Sequence, residues 1–309
     1  MTVGEKRNIY QRPPMIAFLA LFTCFLWGSA FPAIKVGYEL FDIDDTGSQM
    51  LFAGYRFLLG GAVALAAVSV INKKFVTIRR SSVPHIFGLG LLQTTFQYIC
   101  FYIGLAHTTA SNGSIINGSN AFFALIFAHM MMKGEKITAR AAIGCIVGFM
   151  GVIAVNYDGG SFFSGDDLLG DGLILISSMT YGLGSVTSKI LAKRETPNAI
   201  AAYQLIFGGF ALTLCGWVMG GDITGFTVKS TLVFAYLILI PAVAYCLWGN
   251  LLKYNPVGRI SIYGFTISIF GVMLSALFLG ENVLDTFTVT ALILVSAGVI
   301  TVNTESSDK

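Results

Sequence analysis

The chain has 309 residues, 55% of them hydrophobic and 11% charged, with a formal net charge of +3 and a mean hydropathy of +0.76; these values exclude an ordinary water-soluble domain and describe a membrane protein. A helix needs about 20 apolar residues to cross roughly 30 Å of hydrocarbon. Ten such crossings leave no room for a soluble catalytic or nucleotide-binding domain, and no GxxxxGKS/T phosphate loop occurs, which argues against ATP-driven pumping by this chain alone.

In chain order, the apolar runs span 15–36, 51–71, 84–106, 110–132, 139–156, 171–192, 199–219, 231–252, 257–279 and 286–303. Lipid admits only helices or closed barrels, because backbone N–H and C=O groups must be satisfied within the protein. Runs this long and continuous lack the alternation of barrel strands. The predicted fold class is an all-α integral membrane protein with ten transmembrane helices. A basic stretch precedes the first run, as in a signal peptide, but the run ends in Phe31-Pro32-Ala33-Ile34-Lys35 rather than a small-x-small cleavage site.

The charges orient these segments. Lys6, Arg7 and Arg12 precede the first helix; Lys73, Lys74, Arg79 and Arg80 lie in the second connection; Lys133, Lys136 and Arg140 in the fourth; Lys193 and Arg194 in the sixth; Lys253 and Arg259 in the eighth. The intervening connections carry Glu39, Asp42, Asp44 and Asp45, then Asp158, Asp166 and Asp167, then Asp222, with Lys229 as the basic exception. Excess Lys and Arg marks the cytoplasmic face, so both termini are expected in the cytoplasm and the chain in the cell (plasma or inner) membrane. All five cysteines fall in apolar runs, with neither a disulfide framework nor a CxxC pair, and read as packing residues.

The second half repeats the first. Trp27-Gly28 with Lys35 matches Tyr181-Gly182 with Lys189 at an offset of 154, and the stretch from Tyr55-Arg56 to Gly60-Gly61 matches Tyr203-Gln204 to Gly208-Gly209 at 148. Gly134-Glu135 matches Gly280-Glu281 at 146, and Gly151-Val152-Ile153 matches Gly298-Val299-Ile300 at 147. Each unit holds five helices, an odd number, so the second copy enters the membrane from the opposite side. The predicted organisation is a cytoplasmic tail at 1–14, a five-helix repeat at 15–156, an extracytoplasmic linker at 157–170, an inverted repeat at 171–303 and a tail at 304–309. Inverted repeats are the architecture of secondary transporters, which expose a shared midplane site to each side in turn.

The five-plus-five plan, Trp27-Gly28 with Lys35 eight positions after the tryptophan, the Gly-Glu pairs ending helices four and nine, and the Gly-Val-Ile-x-Val stretches closing helices five and ten resemble the drug/metabolite transporter superfamily, and within it the EamA-type family. The resemblance covers nearly the whole chain. It implies two EamA-like domains and export of metabolites such as amino acids. It also implies a contrast, since small multidrug-resistance relatives rely on an embedded Glu, whereas no predicted helix here has Asp or Glu at its middle. Cationic-drug antiport is therefore disfavoured.

Polar side chains in hydrocarbon are costly and mark pathway candidates, set against plain interhelical hydrogen bonding. Gln93 and Gln97 share a face of helix three. Gly113, Asn117, Asn120 and Ala124 form a polar, small-residue stripe on helix four, which the 146 offset carries to Arg259, Tyr263, Thr266 and Phe270 on helix nine. The expected substrate pathway comprises Trp27, Gln93, Gln97, Asn117, Asn120, Tyr181, Tyr263 and Thr266. Lys35 and Lys189 either snorkel to headgroups or form one cationic group near each mouth. Arg56 is expected to pair with Glu39 or Asp42 near the outer start of helix two, and Tyr102 and Trp248 to anchor at the membrane interface. Gly144, Gly148 and Gly151 form a ridge for close helix contact, and Pro32 and Pro241 are candidate bends.

No intramembrane Ser/His pair, Asp pair or metal-ligand cluster supports an enzyme, and the three histidines His85, His107 and His129 are not expected to converge. No catalytic residue, metal, cofactor or nucleic-acid partner is expected. The expected partners are a small-molecule substrate and the lipid bilayer, with the oligomeric state left open. The expected function is a secondary transporter that exports amino acids or similar neutral or zwitterionic solutes by alternating access through a central cavity between the repeats. A passive channel or facilitator, or a membrane-embedded lipid-handling protein, is the alternative.

Overall fold

A computed structural model describes residues 8–155, 157–158, 161–162, 166–281 and 286–303. Lys6 and Arg7, the predicted tail 304–309 and residues 159–160 and 163–165 of the predicted linker lie outside the described residues.

The chain is helical. Helix α1 (Pro13–Phe41) starts on two prolines, whose missing N–H groups cost nothing in a first turn, and stops at Asp42 in the left-handed conformation. Helix α2 is Thr46–Ile71. Then come α3 (Val83–Gly90), a π-helical segment Leu91–Phe96 and α4 (Gln97–Ala106). The fourth predicted run divides into α5 (Ala110–Asn117) and α6 (Asn120–Met131). Helix α7 is Ala139–Val155. Two residue pairs, Tyr157–Asp158 and Ser161–Phe162, make a short antiparallel ladder (β1, β2), too small to change the class.

Helix α8 (Asp166–Leu191) starts earlier than the apolar run at 171 suggests. Acidic residues favour a helix N-terminus. Helix α9 is Pro197–Val218, and α10 is Val228–Tyr254, opened by a Thr227/Ser230 capping box. The ninth predicted run divides into α11 (Val257–Ser261), a 3-10 segment Ile262–Phe265 and α12 (Thr266–Leu279), closed by Gly280 at φ 68°. Helix α13 is Thr286–Asn303. Among the described residues, seven helical stretches are long and apolar enough to cross a membrane: Pro13–Phe41, Thr46–Ile71, Arg80–Ala106, Ala110–Met131, Pro197–Val218, Val228–Tyr254 and Val257–Leu279.

Small residues set the packing, as expected where lipid offers no hydrophobic drive between helices. The most extensive seam joins α2 to α9. Its helices run antiparallel, with Gly47 against Gly221, Gly54 against Thr213 and Gly61 against Ile206. Helices α7 and α13 pair next, with Gly298 set against Gly144 and Gly148, so the glycine ridge of α7 is a helix contact. Helix α1 packs on α12 and α10, and α8 packs on α6 and α4. The two crossings repeat one another: Gly28 meets Phe270 and Gly271, while Gly182 meets Phe123 and Ala124.

Asp45 caps α2, accepting the Ser48 N–H at 2.9 Å. Hydrogen bonding from Ser48, through its side chain first and then its backbone, holds the Asp45 carboxyl below the usual carboxylate range. A depressed carboxyl adds stability above its unfolded-state pKa and loses it as pH falls through the lower folded value. Asp45→Ala should cost about 1 kcal/mol at neutral pH, and the gap from wild type in thermal midpoint should close on acidification. A gap that is constant down to strongly acid pH would remove the ionised cap from the account.

Candidate functional site

Helices α1, α2, α4, α5, α6, α8 and α12 converge on a small space whose wall includes Trp27, Arg56, Gln97, Asn117, Asn120 and Tyr181. Its free volume is about 30 Å³, room for little more than a water molecule. The space is too small for a metabolite in this conformation, and a solute fits only when the helices part.

Trp27 stands at its centre. Its ring meets Tyr181 edge-on at 5.6 Å, Trp248 at 5.1 Å and Tyr245 at 5.8 Å. Edge-to-face geometry suits the ring quadrupoles. Trp27 and Tyr181 are counterparts in the two halves of the sequence, as are Tyr98 and Tyr245, whose hydroxyls lie 3.2 Å apart.

The chain breaks its helices beside this cavity. Asn117 and Asn120 flank the interruption between α5 and α6, and the matching interruption in the other half spans Ile262–Phe265. The two breaks meet, since a Cβ on Gly264 would lie 2.8 Å from Asn120 Oδ1. The π-helical segment holds Gln93, and π segments recur at functional sites. Hydropathy averaged over a whole run hides these interruptions, although Asn117-Gly118-Ser119-Asn120 is a polar, turn-forming stretch within its run.

Five of the eight pathway residues expected from sequence therefore share the cavity wall: Trp27, Gln97, Asn117, Asn120 and Tyr181. Gln93, Tyr263 and Thr266 are not part of it. Gln93 is tucked against α8, its Nε2 donating to the Tyr181 carbonyl at 3.4 Å. Thr266 Oγ1 donates to the Tyr263 carbonyl at 2.7 Å, and Cys24 Sγ to the same oxygen at 3.1 Å.

Three expectations need correction. Arg56 does not pair with Glu39 or Asp42. It is 2% exposed, with Nε donating to the Leu237 carbonyl at 2.8 Å and Nη1 to the Tyr102 hydroxyl at 2.7 Å. Helix α2 starts at Thr46, so Arg56 lies about 15 Å along the axis from that end, too deep for those carboxylates. Tyr102 is accordingly no interface anchor but a fully buried partner of Arg56. Trp248 is buried against Trp27 rather than set at the interface.

Lys189 does not reach for headgroups. Its Nζ donates to Glu135 at 2.8 Å and to the Asn255 carbonyl at 2.7 Å. The same Glu135 oxygen accepts the Val257 N–H at 3.1 Å, at the start of α11. In the other half, Glu281 accepts the N–H groups of Ala110 and Ser111, each at 3.0 Å, and the Ser111 hydroxyl, at the start of α5. Lys35 is half-buried on α1, and among the described residues it makes no ion pair. Each Gly-Glu pair thus ends one broken helix and caps the start of the other, where a negative charge meets the positive end of the helix dipole.

A larger void of about 500 Å³ opens between α1, α10 and α12. Its lining is apolar apart from the hydroxyls of Ser29 and Tyr236, which bond each other at 2.5 Å. It offers nothing that would orient a polar solute.

A multi-span helical bundle whose broken helices meet at a small cavity, largely apolar but carrying Arg56, Gln97, Asn117 and Asn120, has the form of a membrane transport protein. The profile of the EamA-like transporter family matches residues 14–157 and 168–304. The chain belongs to that family, within the drug/metabolite transporter superfamily. It is 25% identical to an uncharacterized transporter of Archaeoglobus fulgidus over 284 residues, covering 91% of this chain and 94% of the relative. It is 26% identical to the uncharacterized transporter YvbV of Bacillus subtilis, covering 94% and 92%. One protein of known crystal structure superposes with a TM-score of 0.73 over 93% of this chain and 96% of that one, at 16% identity, a likeness of fold alone.

Proposed function

We propose that the chain is a secondary carrier that exports small metabolites, amino acids or similar neutral or zwitterionic solutes, by alternating access between two inverted five-helix repeats. It lies in the cell membrane with both termini in the cytoplasm, and it is a carrier rather than an enzyme or a pore. The observation that carries this reading is the cavity wall, where Trp27 faces its own counterpart Tyr181 and is joined by the amides of Gln97, Asn117 and Asn120. Paired contacts at Gly28 and Gly182 support the repeat. Odd-numbered, antiparallel repeats that rock about a shared midplane site are the design of secondary transporters.

The two Glu-capped junctions give the rocking a physical basis. Glu135 with Lys189 and Asn255 ties helix ends together at one mouth, and Glu281 with Ala110 and Ser111 does so at the other. Both are engaged here, in a conformation whose cavity has a free volume of about 30 Å³. Opening one mouth requires loosening one junction while the other holds.

Counterflow in proteoliposomes tests the carrier reading. Trans-acceleration by unlabelled solute marks a carrier, and continued flux without it marks a channel. Asn117→Leu should reduce exchange about tenfold or more, because it replaces an amide that orients solute with an apolar group, while the protein stays folded in the membrane. Wild-type exchange in this variant would remove Asn117 from the site. Reporter fusions test the orientation: segments around Arg79 and Asp166 on the same side would overturn the inverted arrangement.

A further inference from the structure

Arg56 carries charge that nothing in its surroundings neutralises. It is the one charged residue in the cavity wall, it is 2% exposed, and among the described residues no carboxylate lies within ion-pair distance of it. Its two hydrogen bonds go to a carbonyl and a hydroxyl, Leu237 O and Tyr102 OH. They occupy two of the five guanidinium N–H groups. The Phe57 ring lies 4.9 Å from its guanidinium carbon, which helps to hold the side chain in place without supplying a negative charge. A guanidinium kept in hydrocarbon without a counter-ion is costly, and a sequence retains it where something else supplies the anion.

The rest of the wall fits that reading. Gln97 Oε1 is buried with no hydrogen-bond partner, so the wall holds an unmet acceptor as well as a surplus of positive charge. It holds no Asp or Glu that would select a cation. Planar, bidentate donors match carboxylate and phosphate alike, but a single guanidinium balances the one negative charge of a carboxylate and not the roughly −1.5 to −2 of a phosphate group.

We infer that Arg56 anchors a carboxylate on the transported solute, and that the substrates are therefore small carboxylic acids: amino acids or their 2-oxo acid relatives. The carboxylate lies toward α2, and the remainder of the solute faces the Trp27–Tyr181 pair and the amides of Asn117 and Asn120. This rests on the carrier reading above, requires a carboxylate on its zwitterionic solutes and adds plain carboxylate anions to them.

The test is counterflow with the full-length wild-type protein in liposomes. The solutes are neutral L-amino acids and the corresponding 2-oxo acids, each compared with its primary carboxamide and, for the amino acids, with the decarboxylated amine. The acids should exchange about tenfold or more faster than the carboxamides and amines; the amino and 2-oxo arms show whether the substrate is a zwitterion or a plain anion. Arg56→Lys keeps the charge and loses the fork, so it should raise the KM for acids about tenfold or more with folded protein intact, and Arg56→Gln should remove acid exchange. Carboxamides or amines exchanging as fast as acids in wild type overturn the inference without any variant, and so does wild-type KM in Arg56→Lys. If Arg56→Gln fails to fold, the comparison of acids with carboxamides decides alone. Exchange of no solute at all overturns the carrier reading and this inference with it, whereas exchange indifferent to the carboxylate overturns this inference only.

Discussion

Gly209→Leu should lower both the thermal midpoint and the yield of folded protein more than any other substitution considered. A Cβ at Gly209 would contact the Leu58 backbone nitrogen and lie 2.9 Å from both Leu58 Cα and Phe57 C. Those atoms are backbone, so no side-chain rotation relieves the clash, and α2 and α9 must move apart along the most extensive seam in the molecule. Overpacking of this kind costs about 1–3 kcal/mol and sometimes more, against a total stability on the order of 5–15 kcal/mol. The control is Gly172→Ala, because a Cβ there meets nothing within 4 Å. Within helix α8 it should be neutral or stabilising by up to about 1 kcal/mol. Size-exclusion profiles in detergent and thermal midpoints read both. A monodisperse Gly209→Leu protein with a wild-type midpoint would show that the seam tolerates added volume.

Lys189→Met should come next in severity. It strips the ion-pair partner from Glu135, whose side chain is 18% exposed, and empties a site where the ammonium, 13% exposed, also bonds Asn255. Losing one partner of a fully buried pair costs about 3–5 kcal/mol; partial solvent contact at both side chains lowers the expectation to about 1–3 kcal/mol. Glu135→Gln should cost less, since an amide oxygen still accepts from Val257. The double variant should lie well short of the sum, with a coupling energy of about 1 kcal/mol or more. Thermal midpoints of the four proteins measure that coupling directly. Simple additivity would mean that the pair contributes no net stability. Counterflow on the same proteins connects the pair to movement: a junction that must break and re-form should alter exchange even where folding survives.

Much of the plan is legible in the sequence because hydropathy and charge act locally. The long apolar runs, the Trp27-Gly28 and Tyr181-Gly182 match and the two Gly-Glu pairs all stand out without a structure. The glycine ridge of α7 also reads directly, since small residues at helical spacing have one obvious use in lipid. Arg56 carried a signal that was available and misread: an arginine well inside an apolar run, matched by Gln204 in the second half. Placing the start of α2 too late turned a deep cationic group into a mouth residue.

The sequence alone determined the solvent, the number and length of apolar runs and the doubling of the chain, because each follows from composition or from comparing the chain with itself. Tertiary structure decided which polar residues share a space. Gln97 and Asn117 line one cavity with Arg56, while Gln93, whose Nε2 donates to the Tyr181 carbonyl, Thr266, whose hydroxyl donates to the Tyr263 carbonyl, and Tyr263 lie outside that wall. It also decided what the Gly-Glu pairs do, since Glu135 and Glu281 cap helices more than a hundred residues away in sequence. Those outcomes depend on helix crossings, rotations and breaks, and residue spacing along one helix carries no information about the face its neighbour presents.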